Sequence, residues 1–368
     1  MRAVLWLSVV APSIFIAERL AGWTGAAAYA VVAAALLPAV LSLAARLSVP
    51  AARLLAAATG VAIVAFVLAS YPAVNTHAPN RGSDDDDAHE VGVRALLNGE
   101  NPYAQLTYLG NAISPMAGAL LLAAPFVLVD LIAAQNVFWL VVFFLVLARE
   151  RGGIPTALGL CWASLLCLAV LHDLATGTSH AANGIYVVVG LAWLTRARGS
   201  TASAIFFGVT LASRANFMFL LPCALGWLWR RESAIVALRA GAWTAGTAAL
   251  LIVPFYLANP AGFAPVFTFS KILRYDTFMP GASVASGLIT GTAAVIVGTR
   301  ASSRASLFGG CAVVQAIPVG AVFGLSVLSG RPYLAALPYG EFAMWFVVMA
   351  AALDAATRLT TSSTLSTR

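Results

Sequence analysis

The chain has 368 residues, of which 61% are hydrophobic and only 10% are charged, and its formal net charge is +7. Its mean hydropathy is +0.90. Because soluble domains contain about 45–50% apolar residues, a water-soluble fold could not bury this much apolar surface. The basic residues stand singly or in pairs between apolar stretches, which is typical of membrane topology signals and excludes a nucleic-acid-binding patch.

Apolar stretches long enough to cross a hydrocarbon core recur along the whole chain. They predict an all-α, polytopic transmembrane protein of about 11–13 spans that forms a single integral membrane domain over residues 1–368. The first stretch is followed closely by a second, so we expect a retained helix rather than a cleaved signal peptide. The candidate spans are residues 3–17, 23–45, 52–71, 113–131, 134–148, 154–171, 183–195, 201–214, 215–229, 233–256, 283–299, 305–328 and 333–353.

The arginines set the expected orientation in the cell membrane. By the positive-inside rule, the arginines after the second span send residues 72–112 outside. The later arginines also prefer the inside, which requires an odd number of crossings between residues 113 and 148, so one apolar stretch there is expected to be re-entrant. Residues 257–282 then form a second outer loop, and the active site faces outward. The arginines expected on the inner side are Arg46, Arg53, Arg149, Arg151, Arg196, Arg198, Arg230, Arg231, Arg300 and Arg304.

The first outer loop, residues 72–112, carries six of the fourteen acidic residues of the chain. Ser83 and the aspartates at 84–87 are typical of a capped helix start that suits the helix dipole. Asn98 and Gly99 are typical of a helix end. The sequence therefore predicts a short amphipathic helix near the outer membrane surface. Its apolar face contains Ala88, Val91, Gly92, Ala95 and Leu96.

The four consecutive aspartates are candidates for a general base, because a carboxylate within hydrogen-bond reach can remove the proton of an attacking sugar hydroxyl. The candidates are Asp84, Asp85, Asp86 and Asp87. One alternative is a solvated acidic patch that only caps the helix. Another is a divalent cation held by Asp84, Asp86 and His89, although metal-binding loops usually space their ligands more widely. No other metal and no cofactor is expected.

The run from Asp85 to Tyr103, DDDAHEVGVRALLNGENPY, resembles the first outer loop of integral-membrane GT-C glycosyltransferases. It is most similar to polyprenyl-phosphate-dependent enzymes of glycosyltransferase family 87, in which an aspartate precedes an amphipathic helix and a G-x-x-P-Y close. Gly99 and Pro102 match that close. The resemblance implies a GT-C-like fold, a catalytic base at Asp85 or a neighbouring aspartate, and substrate contacts from His89 and Tyr103. His89 stands where the family frequently has tyrosine.

Three later segments resemble family elements in the same order. Residues 111–115 are similar to the small, proline-containing entry to the next span. The segment GTSHAAN at 177–183 is similar to the G-x-x-H-x-x-N/D segment of related mannosyltransferases, which implies substrate contacts from His180 and Asn183. Residues 208–222 resemble an element in which a basic residue separates two short helices.

Three cationic side chains are candidates for binding a lipid phosphate. Arg214, at the predicted break between two helices, could hold it through paired hydrogen bonds, and the alternative is an arginine that snorkels at a boundary. Lys271 and Arg274 lie in the second outer loop, where interfacial anchoring is the alternative. A last ionisable residue, Glu341, is expected to pair or to face water.

The chain lacks phosphate-cradling glycine loops and the GxSxG elbow, so the donor is expected to arrive through the membrane. We therefore expect a glycosyltransferase that moves a sugar from a polyprenyl-phosphate donor to a glycan or glycolipid acceptor, with membrane lipids as partners and no nucleic acid. Two other hypotheses stay open. One is a polytopic transporter or lipid-linked-glycan flippase, which would show broken helices at mid-membrane. The other is a non-catalytic membrane subunit or a polymerase that uses a lipid diphosphate.

Overall fold

A computed structural model describes residues 1–77, 83–150, 152–266 and 272–365, with side chains described as far as residue 355. This part of the chain is 80% helical and contains no β-strand, which confirms an all-α polytopic membrane protein. The helices are α1 (Arg2–Ala45), α2 (Val49–Val74), α3 (Asp85–Leu97), α4 (Ala117–Val127), α5 (Ala134–Ala148), α6 (Gly153–Leu165), α7 (Leu168–Thr176), α8 (His180–Arg196), α9 (Thr201–Leu211), α10 (Leu220–Arg231), α11 (Ala234–Ala258), α12 (Ala282–Arg300), α13 (Arg304–Leu328) and α14 (Glu341–Leu365).

The number of long apolar helices is smaller than the 11–13 predicted spans. Among the described residues, six helices are long and apolar enough to cross a membrane, or seven if α6 and α7, bent by 80°, form one span. The difference arises because the first two predicted spans share α1, which is counted once, and because several other predicted spans are short helices. Helices α9 and α10 have 11 and 12 residues, so each is only about 16–18 Å long at 1.5 Å per residue, against a core of about 30 Å.

Helix α1 is a hairpin of two antiparallel arms, as the two first predicted spans require. Its backbone leaves the helical region at Ala21 and Gly22, where Gly22 has a φ of +65°. The Trp6 indole N–H donates to the Ala30 carbonyl at 3.2 Å. Residues 24 positions apart would lie about 36 Å apart in a straight helix, so this bond requires the second arm to fold back along the first.

Helix α4 begins beside the break after α9, where Arg214 pairs with α3, and it ends beside Arg94 of α3. The Gly118 N–H donates to the Ala212 carbonyl at 2.9 Å, and Asp130, just beyond α4, accepts a 2.6 Å bond from Arg94 of α3. At 11 residues, α4 is about 16 Å long, too short to cross. Helix α5, with 15 residues, is about 22 Å long and is likewise shorter than a core of about 30 Å, so the re-entrant stretch expected between residues 113 and 148 stays a prediction.

The turns after α5, α8, α10 and α12 meet at one end of the bundle, which we call the arginine face. Glu150 pairs with Arg304 at 3.2 Å and with Arg196 at 3.6 Å. Arg230 donates to the Thr299 carbonyl at 2.5 Å. These contacts join turns up to 154 residues apart in sequence, so the scattered arginines lie together as the positive-inside pattern requires.

Cysteine labelling tests this two-ended architecture. Glu100, just beyond α3, and Ser302, on the arginine face, are both exposed. We expect a membrane-impermeant maleimide to label the Glu100→Cys variant in intact cells, and the Ser302→Cys variant only after permeabilisation, because arginine-rich turns stay inside. The unsubstituted chain, whose four free cysteines are half-buried or buried, gives the background. Equal labelling of both variants in intact cells would contradict the arrangement.

Candidate functional site

Two of the four aspartates at the beginning of α3 bond to the loop that follows this helix. Asp84 accepts hydrogen bonds from the Thr107 hydroxyl at 2.8 Å and from the Asn111 side-chain amide at 2.7 Å. Asp87 accepts the Tyr108 backbone N–H at 2.7 Å. Because Asp84 occupies the N-cap position with its carboxylate engaged elsewhere, the predicted capping role falls to Ser83, whose hydroxyl oxygen accepts the Asp85 N–H at 3.2 Å.

Asp86 turns in the opposite direction, against the end of α2. It is 2% exposed, and one carboxylate oxygen accepts the Tyr71 hydroxyl at 2.7 Å and also the Asn75 side-chain amide. The other oxygen is buried and has no partner in the described structure. Burial raises the pKa of Asp86 to about 6 despite the Tyr71 hydrogen bond, because a charged carboxylate is costly in a desolvated position.

Asp85 points into the bundle and pairs with the predicted cation Arg214. The two side chains are 3.3 Å apart and expose only 13% and 11% of their surfaces, and the Ser179 N–H donates to the second Asp85 oxygen at 2.7 Å. Burial alone would raise the pKa of Asp85, but the Arg214 charge and the Ser179 hydrogen bond hold it well below its usual range. Asp85 is therefore an ionised carboxylate in a buried position.

His89 supports Asp85 from the next turn of α3. Its Nδ1–H donates to the Asp85 backbone carbonyl at 2.7 Å, and the side chain is 1% exposed. Burial lowers the pKa of His89 in spite of the nearby Asp85 charge. The imidazole is thus neutral at pH 7, and its Nε2 is the nitrogen that can accept a hydrogen bond.

The break between α7 and α8 delivers the Ser179 N–H to Asp85. Gly177 ends α7 with a φ of +72° and lies so close to α2 that a Cβ there would be 2.7 Å from the Tyr71 ring. Behind the break, the Asn183 side-chain amide donates to the Ser179 hydroxyl oxygen at 2.9 Å. The structure therefore places Asn183, a predicted substrate contact, behind Ser179, where it orients this turn.

A cavity of about 380 Å³ begins where Arg214 emerges from its pair with Asp85. Its volume lies within the range of small-molecule sites, about 300–1,000 Å³. Two predicted phosphate-binding residues, Arg214 and Arg274, line it together. Most of the remaining wall is apolar, with a neutral polar strip on one side. The wall includes Phe219, Ile272, Pro318, Val319, Val322 and Phe342, and the strip is formed by Asn216, Ser283, Ser286, Thr290 and Gln315.

His180 does not line this cavity, but it packs against two aromatic residues that do. The imidazole centroid is 5.0 Å from that of Tyr339 and 5.6 Å from that of Phe342. The Arg214 guanidinium lies over the same Phe342 ring at 5.6 Å, a geometry that stabilises a cation over an aromatic face. Arg214 and Arg274 therefore share one space, with His180 packed against its aromatic wall and Asp85 paired with Arg214.

One other predicted substrate contact, Tyr103, lies apart from this space. Tyr103 is 4% exposed, packs edge-on against Phe255 and Phe263, and donates its hydroxyl to the Pro115 carbonyl at 3.3 Å. Its contacts are those of a residue that anchors the loop after α3. Lys271 lies outside the described residues.

The four aspartates do not gather around a common point, because each engages different partners. Among the described residues there is no group of three or more histidine, cysteine, aspartate or glutamate side chains placed to hold a metal ion. The divalent cation considered for Asp84, Asp86 and His89 stays a prediction.

Sequence reasoning missed several residues of the cavity. The Asn216 amide donates to the Gln315 side-chain carbonyl at 2.7 Å, although the two lie 99 positions apart. A usable signal was present on α12, where Ser283, Ser286 and Thr290 recur at helical spacing within an apolar helix. Of the two alternatives for Glu341, facing water is wrong: the residue is 1% exposed and accepts the Trp345 indole N–H at 3.3 Å.

Comparison with protein-family models, with curated proteins and with solved structures finds no match for this chain. The resemblance of the loop after α2 to GT-C glycosyltransferases therefore rests on the motifs themselves.

The raised pKa of Asp86 predicts a pH-dependent stability. Between about pH 4 and pH 6 the folded chain keeps a proton that the unfolded chain has released, so this group makes stability fall as pH rises through that window. We expect the Asp86→Asn variant to lose this dependence in melting-temperature measurements in detergent from pH 4 to 7. The Glu90→Gln variant, a half-buried position on the same helix whose side chain pairs with Arg94, should keep it. Identical slopes for wild type and Asp86→Asn would contradict the assignment.

The close approach at Gly177 predicts a costly substitution. The Gly177→Ala variant adds strain at positive φ and a contact with the Tyr71 ring, whereas Gly281→Ala adds strain at a φ of +81° in open space. We expect about 1 kcal/mol for the strain at either position and about 1–3 kcal/mol more at Gly177 for overpacking. Chemical unfolding in detergent measures both. Equal losses would show that the contact with α2 contributes nothing.

Proposed function

We propose that this protein is a membrane glycosyltransferase that moves a sugar from a polyprenyl-phosphate donor to a hydroxyl of a glycan or glycolipid acceptor. The observation that carries the proposal is the buried ion pair between Asp85 and Arg214 at the edge of a mostly apolar cavity. It combines an ionised carboxylate, a cation for phosphate and walls suited to a lipid in one place.

Asp85 is the best placed of the four candidate bases. Within the described structure, its carboxylate touches a residue that lines the cavity, whereas those of Asp84 and Asp87 bond to the loop after α3 and that of Asp86 bonds to α2. In the proposed step, Asp85 removes the proton of the acceptor hydroxyl while the oxygen of that hydroxyl attacks the anomeric carbon. The bond from that carbon to the phosphate oxygen breaks, the electron pair leaves with the polyprenyl phosphate, and the configuration inverts.

Arg214 links donor binding to the activity of the base. A lipid phosphate at Arg214 competes with Asp85 for the guanidinium, which prefers paired hydrogen bonds to such oxyanions. As the cation moves towards phosphate, the influence that depresses the pKa of Asp85 weakens and the carboxylate becomes a stronger base. The same cation then offsets the negative charge that develops on the leaving phosphate.

The cavity wall suits the two halves of such a donor. Pro318, Val319 and Val322 on α13 give one apolar side, against which a lipid chain can lie without losing hydrogen bonds to water. Ser283, Ser286 and Thr290 on α12 offer hydroxyls within the same space, which suit the hydroxyl groups of a sugar.

The outer side of the cell membrane is the expected location of the site. Asp86, at the acidic end, bonds to Tyr71 near the end of α2, whereas Arg53 lies near its beginning. Arg53 and Tyr71 are about 27 Å apart along α2. Because arginine-rich turns stay inside, the aspartates of α3 and the cavity then face outward.

A transport function is the second candidate, and one observation favours it. Glu341 is buried among apolar helices with one carboxylate oxygen unpartnered in the described structure, and intramembrane carboxylates frequently belong to ion or proton pathways. Transport would appear as substrate counterflow in proteoliposomes without cleavage of a sugar donor.

Substitution of Asp85 tests the proposed chemistry. We expect the Asp85→Asn variant to lose about 10²–10⁴-fold of the transfer rate, because that is the usual contribution of a positioned general base. The assay measures sugar transfer by purified protein from a panel of radiolabelled polyprenyl-phosphate sugars.

Glu90→Gln is the matched control, because Glu90 lies on the same helix but pairs with the exposed Arg94 at 2.8 Å. It should transfer sugar at the wild-type rate. Full activity of a folded Asp85→Asn variant would remove Asp85 as the base. Counterflow with no donor turnover by wild type would replace the enzyme with the transporter.

A further inference from the structure

A second cavity lies on the side of the bundle away from Arg214. It has a volume of about 380 Å³ and is formed by α2, α5 and α6, with an almost wholly apolar lining. On α2 the small residues Ala56, Ala57 and Gly60 leave the space, and Phe144 of α5 borders it. Arg53 is the one charged residue of this lining. We call this cavity the α2 groove.

Two contacts fix the direction in which the groove runs. The Trp162 indole of α6 donates to the Thr59 hydroxyl of α2 at 2.9 Å, and further along both chains Gly177 lies against Tyr71. Helix α2 and the chain from α6 onward therefore run in the same direction. Arg53, near the beginning of α2, is then level with the beginning of α6, which is the arginine face.

The charge at this end of the groove is positive and available. Arg53 is exposed and has no hydrogen-bond or ion-pair partner among the described residues. Arg46 lies in the short turn before α2, and Arg149 follows α5 directly. A groove that is apolar along its length and basic at its end matches a lipid with an acidic headgroup, because juxtamembrane arginines attract anionic lipids.

We propose that the α2 groove is a binding site for an anionic phospholipid of the inner leaflet, with an acyl chain against Ala57 and Gly60 and the phosphate at Arg53. The site is separate from the cavity at Arg214, and it does not depend on the proposed sugar transfer. A bilayer phospholipid is the occupant that the position favours, since the basic end coincides with the membrane face where the other arginines lie.

Two substitutions test the two halves of this site. A Cβ at Gly60 would meet no atom within 4 Å, so the Gly60→Leu variant places its branched side chain in the groove with no clash at Cβ, and Arg53→Gln removes the charge. Helix α11 offers a matched pair at the same spacing: Arg239 is exposed, and Gly246 is also open. The Gly246→Leu and Arg239→Gln variants therefore carry the same changes on another exposed helix face.

The measurement is native mass spectrometry of protein released from nanodiscs that contain equal amounts of phosphatidylglycerol and phosphatidylcholine with identical chains. We expect wild type to retain one phosphatidylglycerol in preference, Arg53→Gln to reduce that preference about fivefold, and Gly60→Leu to abolish retention. Both α11 variants should behave as wild type.

Equal retention of the two phospholipids by wild type would overturn the proposal, as would undiminished retention by Gly60→Leu. Displacement of bound phosphatidylglycerol by equimolar polyprenyl phosphate would show that the occupant is the lipid carrier and would likewise overturn it. Transfer of sugar is not measured in this experiment, so its outcome is independent of the proposed enzyme activity.

Discussion

The ion pair between Asp85 and Arg214 is the contact on which the rest of the site depends. It joins α3 to the break after α9 across 129 positions of sequence, in a place where both side chains are mostly buried. Two buried charges are costly unless their remaining hydrogen bonds are satisfied. Ser179 satisfies the free oxygen of Asp85, whereas the Arg214 Nε remains unpartnered in the described structure. The pair is thus bonded through both oxygens at its acidic end, and the arginine at its basic end also lines the cavity.

The features of the fold and of the site that depend on neighbouring residues in the sequence could be predicted. The first helix after α2 was predicted from the aspartates that begin it and from Asn98 and Gly99 that end it, and the structure has it as Asp85–Leu97. Arg214 stood out because a charge between two apolar helices is costly. The four aspartates could not be separated by sequence, since what distinguishes them is the direction of each side chain and partners as distant as Ser179. The span count failed for a related reason: hydropathy does not reveal the break between α6 and α7 or the shortness of α9 and α10.

The membrane explains why the two ends of the bundle differ. Short helices that stop inside the bundle leave polar backbone and side chains at depth, which is tolerated only where they are buried in protein or line a cavity. The breaks at Gly177 and Arg214 meet this condition, because both lie at the site. At the other end, arginines meet in turns that bind one another through Glu150 and through backbone carbonyls. Arg53, where we propose that the lipid headgroup binds, lies exposed near the beginning of α2, far from the aspartates.

The central claim is that Asp85 and a lipid phosphate compete for Arg214. Binding of polyprenyl phosphate to purified protein, measured by isothermal titration calorimetry, tests it most directly because no sugar or acceptor is required. Competition predicts opposite effects: the Asp85→Asn variant binds the phosphate more tightly than wild type, since a rival anion has been removed, and Arg214→Gln binds it more weakly. Weaker binding by Asp85→Asn, or unchanged binding by both variants, would contradict the claim.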